Sequence, residues 1–278
     1  MMVIYYNDRL IKEACLKPTS QGFQFGYGVF ETILISKGAP CFVDMHYGRL
    51  MKGCSKLGLA LKLDIEAIYT QAIKLSEACN ITEGRLKLIC FRDADADATI
   101  VTLSDYKLEE STIQKGITLG ISSIMRNPHS PMCYIKSLNY AENILAKAEA
   151  KSQGYDEALF LNVYNTLCEG AVSNIFWIKA NVLYTPEISC GILEGITRRQ
   201  VIDICNILEL RLQDGSYDLA ALLSADEVFV TNSLMGIMPV CRVDNTIYNI
   251  SEYKMTKKIN NEYQKLVENE INNKRRGK

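Results

Sequence analysis

Short apolar runs broken by turn residues dominate the first third of the chain, with two helical stretches set between them. Residues 2–6 and 9–15 predict a hairpin turning at Asn7-Asp8, and 29–36 (Val-Phe-Glu-Thr-Ile-Leu-Ile-Ser) predict a strand. Lys37-Gly38-Ala39-Pro40 supplies a turn, and 41–43 returns. Asp44 is placed to cap a helix running to about Leu57, with Leu50, Cys54 and Leu57 on one face. Asp64 opens a second helix to about Cys79, and strands are expected near 84–91 and 98–103. The first 115 residues thus predict an α+β unit of antiparallel strands and two helices.

The second half begins near Ile117-Thr118-Leu119-Gly120-Ile121. An irregular stretch at 123–133 carries Asn127, Pro128 and Pro131, and a loop of that length inside a compact chain is often functional. A helix is expected from Ser137 to Lys151, with Lys136 opening it and Gly154 stopping it. Strands are expected at 157–162, 172–178 and 182–185, a helix at 196–210, a strand at 226–231, and a helical tail after Ser251 ending in a solvated Lys274-Arg275-Arg276. The domain reading is a smaller N-terminal α+β domain over 1–115, a connecting segment over 116–133, and a larger domain over 134–278.

Composition narrows the function. The chain has 278 residues, 48% of them hydrophobic, and a formal net charge of -1, which calls for neither nucleic acid nor an anionic membrane. No apolar run approaches the ~20 residues of a membrane span, and the N-terminus lacks the features of a signal peptide. Ten scattered cysteines without a CxxC pair suit reduced thiols in a cytoplasmic protein. With only His46 and His129, neither a Ser-His-Asp triad nor a His-rich metal site is expected.

Other groups must carry the chemistry. Lys136, among apolar and aromatic neighbours in Tyr134-Ile135-Lys136-Ser137-Leu138-Asn139-Tyr140, is a candidate Schiff-base lysine. Glu169 leads into the buried run from Gly170 to Trp177, where a carboxylate needs a partner; a protonated pyridine nitrogen would supply one. Asn174 lies in that run and is placed to fix a loop or the glutamate. Gly195-Ile196-Thr197-Arg198 starts an amphipathic helix whose unpaired N–H groups, with the Thr197 hydroxyl, suit a phosphate. Ser233, in the Thr231-Asn232-Ser233 turn, would donate to the same phosphate, and Arg49 would supply a positive clamp. Each has a bland alternative: a surface lysine, a strand-edge glutamate, a ligand-free helix cap, a solvated arginine. Their joint order is what points to pyridoxal 5'-phosphate.

In that order the chain resembles the fold-type IV, class IV pyridoxal-phosphate enzymes, which include branched-chain aminotransferases, D-amino-acid aminotransferases and aminodeoxychorismate lyase. The matching stretches are Phe25 through Thr32, Asp44 through Leu50, Ile135 through Tyr140, Glu169 through Phe176, Gly191 through Arg198 and Val230 through Val240. The resemblance implies two α/β domains of that fold type and a homodimer. It also implies that Lys136 holds the cofactor, Glu169 contacts its ring nitrogen, Tyr140 approaches its ring hydroxyl, and Arg49, Ile196, Thr197 and Ser233 hold its phosphate.

Within that family, Arg126-Asn127-Pro128-His129, the run Thr231 through Val240, and Thr32 after Phe30-Glu31 are similar to aminodeoxychorismate lyases. Thr32 is then a candidate proton donor to departing pyruvate. Phe30 stands where D-amino-acid aminotransferases have a carboxylate-binding tyrosine, and the segment Phe91 through Asp97 lacks their Arg-x-His trap. Phe30, Arg92 and Asn232 are the candidates on the substrate side, with Arg92 equally readable as a solvated strand end. The implied activity is conversion of 4-amino-4-deoxychorismate to p-aminobenzoate and pyruvate, a step toward folate; the alternative is an aminotransferase acting on D-amino or branched-chain amino acids.

Overall fold

A computed structural model of the chain describes residues 4–13, 16–94 and 96–276, without the side chains of 273–276. Cys15 and the side chains of the basic run Lys274-Arg275-Arg276 therefore lie outside the described residues. The chain forms two compact units, Met1–Lys107 with Ile135–Asn139 and Leu266–Lys278, and Leu108–Tyr134 with Tyr140–Lys265. The sequence had suggested linear boundaries at 115 and 134. The units depart from that division because residues 135–139 hydrogen-bond to a strand of the first unit.

The first unit contains β1 (Ile4–Tyr6), β2 (Arg9–Ile11), α1 (Gln21–Phe25), β3 (Gly28–Ser36), β4 (Ala39–Pro40), α2 (Val43–Lys56), α3 (Ile65–Cys79), β5 (Gly84–Arg92) and β6 (Asp97–Asp105). These strands form one antiparallel sheet in the order β2-β1-β6-β5-β3-β4. Period-two alternation buries Val29, Ile33 and Ile35 of β3 and Leu86, Leu88 and Cys90 of β5, together with Leu50 and Cys54 of α2 and Ile68, Ala72 and Leu75 of α3. A fully buried leucine such as Leu86 contributes about 1.5–3 kcal/mol. Gly53 lets α2 approach closely: a methyl there would meet Val29 Cγ1 at 3.1 Å and Ile135 Cγ2 at 3.6 Å. Asp64 caps α3 as expected, accepting from Ala67 N at 2.8 Å. Asp44 does not cap α2. The chain enters that helix through a left-handed Phe42, φ 56°, and Asp44 sits in the first turn, where its charge complements the helix dipole.

The second unit contains α4 (Glu110–Lys115), β7 (Ile117–Ile121), α5 (Ala141–Ser152), β8 (Glu157–Leu161), β9 (Leu167–Gly170), β10 (Asn174–Lys179), β11 (Val182–Pro186), α6 (Ile196–Ile207), β12 (Arg211–Gly215), α7 (Leu219–Leu223), β13 (Glu227–Asn232), β14 (Gly236–Val243) and β15 (Thr246–Ile247). Its sheet runs β12-β11-β10-β13-β14-β7-β8-β9, with β15 on β14. Parallel pairs β11/β12, β14/β7 and β7/β8 stand among antiparallel ones, so both faces carry apolar residues. Trp177, stacked on Tyr184 with ring centroids 5.7 Å apart, anchors one cluster with Val228, Val230 and Met238. Small residues Ala146 and Ala150 seat α5 against Ala158 and Phe160. The final helix, α8 (Met255–Arg276), is divided between the units at Leu266.

The expected helix at Ser137–Lys151 begins later, at Ala141. Lys136 therefore does not open a helix. It lies in an extended segment bridged antiparallel to β3 through Val29 and Ser137.

Candidate active site

The sequence-predicted residues fall into two groups, one in each unit. In the first, Lys136 is fixed at its backbone: Phe30 N donates to Lys136 O at 2.8 Å, and Leu138 N donates to Gly28 O at 2.9 Å. Asn139 Nδ2 donates to Gly26 O at 3.1 Å and ties down the end of the segment. The Lys136 amine lies 4.6 Å from the centroid of the Phe30 ring. A second amine, Lys87 Nζ, lies 4.8 Å from the same centroid. Thr32 is the cross-strand partner of Lys87, and Phe30 pairs with Ile89. Alternation puts Phe30, Thr32 and Lys87 on one face of the sheet and Glu31 on the other. Burial pushes the Lys87 ammonium pKa down, and the charge of Arg85 adds to the effect.

Behind this face, Glu31 is wholly buried and held by three groups. Arg49 Nε donates to Oε1 and Nη2 to Oε2, both at 2.7 Å, and His46 Nδ1 is 2.7 Å from Oε2. Burial alone would raise the Glu31 pKa, but Arg49 and then His46 hold it well below the usual carboxylate range. His46 is pushed the other way. Burial lowers its pKa, and the nearby charges of Arg49 and Lys136 outweigh part of what Glu31 restores. Arg49 is thus no solvated helix arginine, since a carboxylate fixes its fork. Arg92 Nε lies 2.6 Å from Asp97 Oδ1, and Nη2 donates to Gly58 O at 2.7 Å. Those contacts direct its head group to its own hairpin and the end of α2 rather than to a substrate carboxylate.

In the second unit, Glu169 on β9 is 7% exposed. Its Oε2 accepts from Asn174 Nδ2 at 3.1 Å and from Leu193 N at 3.0 Å. Its Oε1 lies 3.9 Å from Arg126 Nη2. Asn174 also donates to Leu193 O at 2.9 Å, so it links the glutamate to the loop before α6, the fixing role expected of it. Gly195 in that loop is required by close approach, because any side chain there would collide with Asn174 Oδ1. Thr197, in the first turn of α6, is 2% exposed, and Ile196 is 7% exposed. Gly195 offers no side-chain cap, which leaves the first-turn N–H groups without one. Tyr140 Oη donates to Ala171 O at 3.1 Å, as Asn143 Nδ2 does at 2.7 Å. Ser233 is half-buried in the turn after β13. Asn232 organises that turn: Oδ1 accepts from Leu234 N at 3.0 Å and Met235 N at 2.7 Å, and Nδ2 donates to Val172 O at 3.2 Å. With both ends of its amide engaged by backbone, Asn232 fixes the turn that carries Ser233.

Against known families, residues 28–243 match the model of amino-transferase class IV. The chain belongs to the class IV aminotransferase family. It is similar to aminodeoxychorismate lyase of Bacillus subtilis, at 31% identity over 98% of this chain and 97% of the relative, and to D-alanine aminotransferase of Bacillus licheniformis, at 29% over 96% and 97%. Among solved structures it is similar to a Legionella pneumophila protein assigned as a 4-amino-4-deoxychorismate lyase, with a TM-score of 0.86, 28% identity, and coverage of 94% of this chain and 97% of that one.

Pyridoxal 5'-phosphate is the cofactor of this class IV fold, and the side chains present fit it. The hydroxyls of Ser173, Thr197 and Thr231 are buried without a hydrogen-bond partner in the protein, which suits donation to an acceptor-rich phosphate. Thr231 faces Asn174 across the β10–β13 pair, and Asn174 abuts Gly195, so this polar cluster adjoins Glu169. Sequence reasoning missed Glu31, Lys87 and Arg126 as site residues. For Glu31 a signal existed: a carboxylate inside an apolar strand, with His46 and Arg49 spaced one helical turn apart. Lys87 becomes visible only through its ring contact across strands, and Arg126 only through its approach to Phe160 and Glu169. No helix among the described residues is long and apolar enough to cross a membrane.

Proposed function

We propose that this protein is a cytoplasmic, homodimeric pyridoxal-phosphate-dependent lyase that converts 4-amino-4-deoxychorismate to p-aminobenzoate and pyruvate. The observation that carries the reading is Thr32. Its hydroxyl-bearing side chain shares a sheet face with Phe30, whose ring meets the amine of Lys136. The likeness to a Bacillus subtilis aminodeoxychorismate lyase supports the same choice.

When bound, the cofactor attaches covalently to an amine and offers a ring that accepts electrons from the neighbouring carbon. The chain supplies the rest. Lys136 would hold the cofactor through its amine and, once released, would serve as the base for the proton on the amine-bearing carbon. Glu169, anchored through Oε2 by Asn174 and Leu193, would pair with the ring nitrogen. Tyr140 would serve the ring hydroxyl. Arg49, Ile196, Thr197 and Ser233 hold the phosphate through charge, backbone N–H and hydroxyl donors. Thr32 protonates the enolpyruvyl group as its C–O bond to the ring breaks, so pyruvate leaves and the ring becomes aromatic. Lys87 offers the substrate carboxylates a cation on that same face.

The second reading is an aminotransferase acting on D-amino or branched-chain amino acids, favoured by the likeness to D-alanine aminotransferase. It would use the same lysine as the proton carrier, with the amino group kept for transfer and no pyruvate released from an enolpyruvyl ether. The deciding assay gives the purified, cofactor-loaded protein aminodeoxychorismate in one cuvette and D-alanine or leucine with 2-oxoglutarate in others. Stoichiometric p-aminobenzoate and pyruvate, with no amino transfer, is the expected result; amino transfer without p-aminobenzoate reverses the choice.

A further inference from the structure

We infer that Glu157 is a positioning residue for Tyr140, acting through the peptide group that joins Ala171 to Val172. The inference rests on the reading of Tyr140 as the partner of the cofactor's ring hydroxyl.

Glu157 stands on β8, is 2% exposed, and has no part in the proposed chemistry. A carboxylate at that depth needs donors. The turn between β9 and β10, closed by Gly170 N donating to Ser173 O at 2.7 Å, supplies them. Ala171 N donates to Glu157 Oε1 at 3.1 Å, Ala158 N donates to the same oxygen at 3.0 Å, and the Val172 N–H adds a further bond to the carboxylate. Lys147 Nζ, on α5, lies 4.0 Å from Oε2. Burial pushes the Glu157 pKa up, and the Lys147 charge and the three amides oppose the rise. Every neighbour on that account is a donor or a cation, so the pocket selects an accepting carboxylate.

The other side of the turn meets residues of the candidate site. Ala171 O accepts from Tyr140 Oη at 3.1 Å and from Asn143 Nδ2 at 2.7 Å, and Val172 O accepts from Asn232 Nδ2 at 3.2 Å. The decisive link is covalent. The Ala171 carbonyl and the Val172 N–H belong to one planar peptide group. A carboxylate bonded at the N–H end polarises that group and makes its carbonyl oxygen a stronger acceptor, by about 10–30% per bond in a hydrogen-bonded chain. That oxygen serves two donors at once, and the added strength helps it keep both. Glu157 thus holds the phenol of Tyr140 in one orientation before a ligand arrives, and a side chain ordered in advance adds less cost to binding.

Ala171-Val172 is the only Ala-Val pair in the sequence. Labelling alanine with 13C at the carbonyl and valine with 15N therefore yields one cross-peak in a carbonyl–amide correlation spectrum, from the peptide in question. The test records it for wild type, Glu157→Gln, Tyr140→Phe and the double variant, each cofactor-free and loaded, beside pyridoxal phosphate affinity by equilibrium dialysis. Glu157→Gln should move the Ala171 carbonyl and the Val172 amide proton upfield, and Tyr140→Phe should move the carbonyl the same way. Affinity should fall about five- to tenfold in Glu157→Gln, the worth of one net hydrogen bond, and should fall no further when Glu157→Gln is added to Tyr140→Phe. An Ala171 carbonyl unmoved in Glu157→Gln, or affinity losses that simply add, overturns the inference. Should Glu157→Gln not fold, Glu157→Asp withdraws the carboxylate by one methylene and carries the test; a wild-type cross-peak with wild-type affinity then overturns it. Tyr140→Phe with wild-type affinity and a wild-type absorption spectrum when loaded removes the reading of Tyr140, and the inference with it, whatever the carbonyl does.

Discussion

Glu31 grips Arg49 with both carboxylate oxygens, Nε to Oε1 and Nη2 to Oε2, each at 2.7 Å, from a position on β3 with no exposure. The pair presets the orientation of the guanidinium, so were Arg49 to hold the cofactor phosphate as proposed, the anion would meet a cation whose rotamer entropy is already lost. Glu31→Gln leaves that cation half-buried and unbalanced. Urea unfolding should show a loss of about 3–5 kcal/mol, the usual cost of breaking a buried pair from one side. Cofactor affinity should fall with it.

The same cluster sets an acid limit. Glu31 has a depressed pKa in the folded state, so its contribution is complete above the ordinary carboxylate range and is lost as pH falls toward the folded value. His46 also has a lowered folded pKa; the unfolded chain takes up its proton first, and stability begins to fall below about pH 6.5. Denaturation midpoints measured from pH 7.5 down to 5 should decline in wild type and lie flatter in His46→Gln. Parallel curves would remove His46 from the explanation.

Lys136→Ala should bind pyridoxal phosphate without a borohydride-trapped adduct and should form no p-aminobenzoate. Mass spectrometry of the reduced, digested wild type should find the cofactor mass on the peptide containing Lys136.

Thr32→Val keeps the shape of the side chain and removes its hydroxyl. With a general acid lost, kcat for pyruvate release should fall by about 10²- to 10⁴-fold, while KM and the cofactor spectrum hold. An unchanged kcat would transfer the proton donation to another group.

Lys87→Met keeps the apolar stem against Phe30 and deletes the charge. Transition-state stabilisation, read as kcat/KM for aminodeoxychorismate, should drop by about 1.5–3 kcal/mol, the worth of a hydrogen bond to a charged group. Arg92→Met, whose parent arginine is engaged by Asp97 and Gly58, should affect unfolding more than kcat/KM.

Local rules made part of this legible. Asp64 announced α3 because a cap acts within three residues, and β5 and β6 were visible because their alternation belongs to each strand alone. The Lys136 segment was misread as helical because what holds it, the backbone of Gly28 and Phe30, lies more than a hundred residues away. β9 and β12 were hidden for the same reason, since short strands in a mixed sheet owe their form to neighbours. In the candidate site, residue types and order were enough to nominate Lys136, Glu169, Asn174 and Thr197, because each role asks for a particular functional group. Arg126 and Lys87 escaped because an arginine or lysine over a ring is a tertiary fact.

The pairing of Lys136 with β3 has a mechanical consequence. A lysine hung from a helix terminus would drift as that terminus frayed; here the pivot of the side chain is stitched edgewise into a sheet, through the Phe30 amide on one flank and the Gly28 carbonyl on the other. What moves is the four-carbon arm: were Lys136 to carry the cofactor as proposed, its amine would change partners about a hinge that stays still.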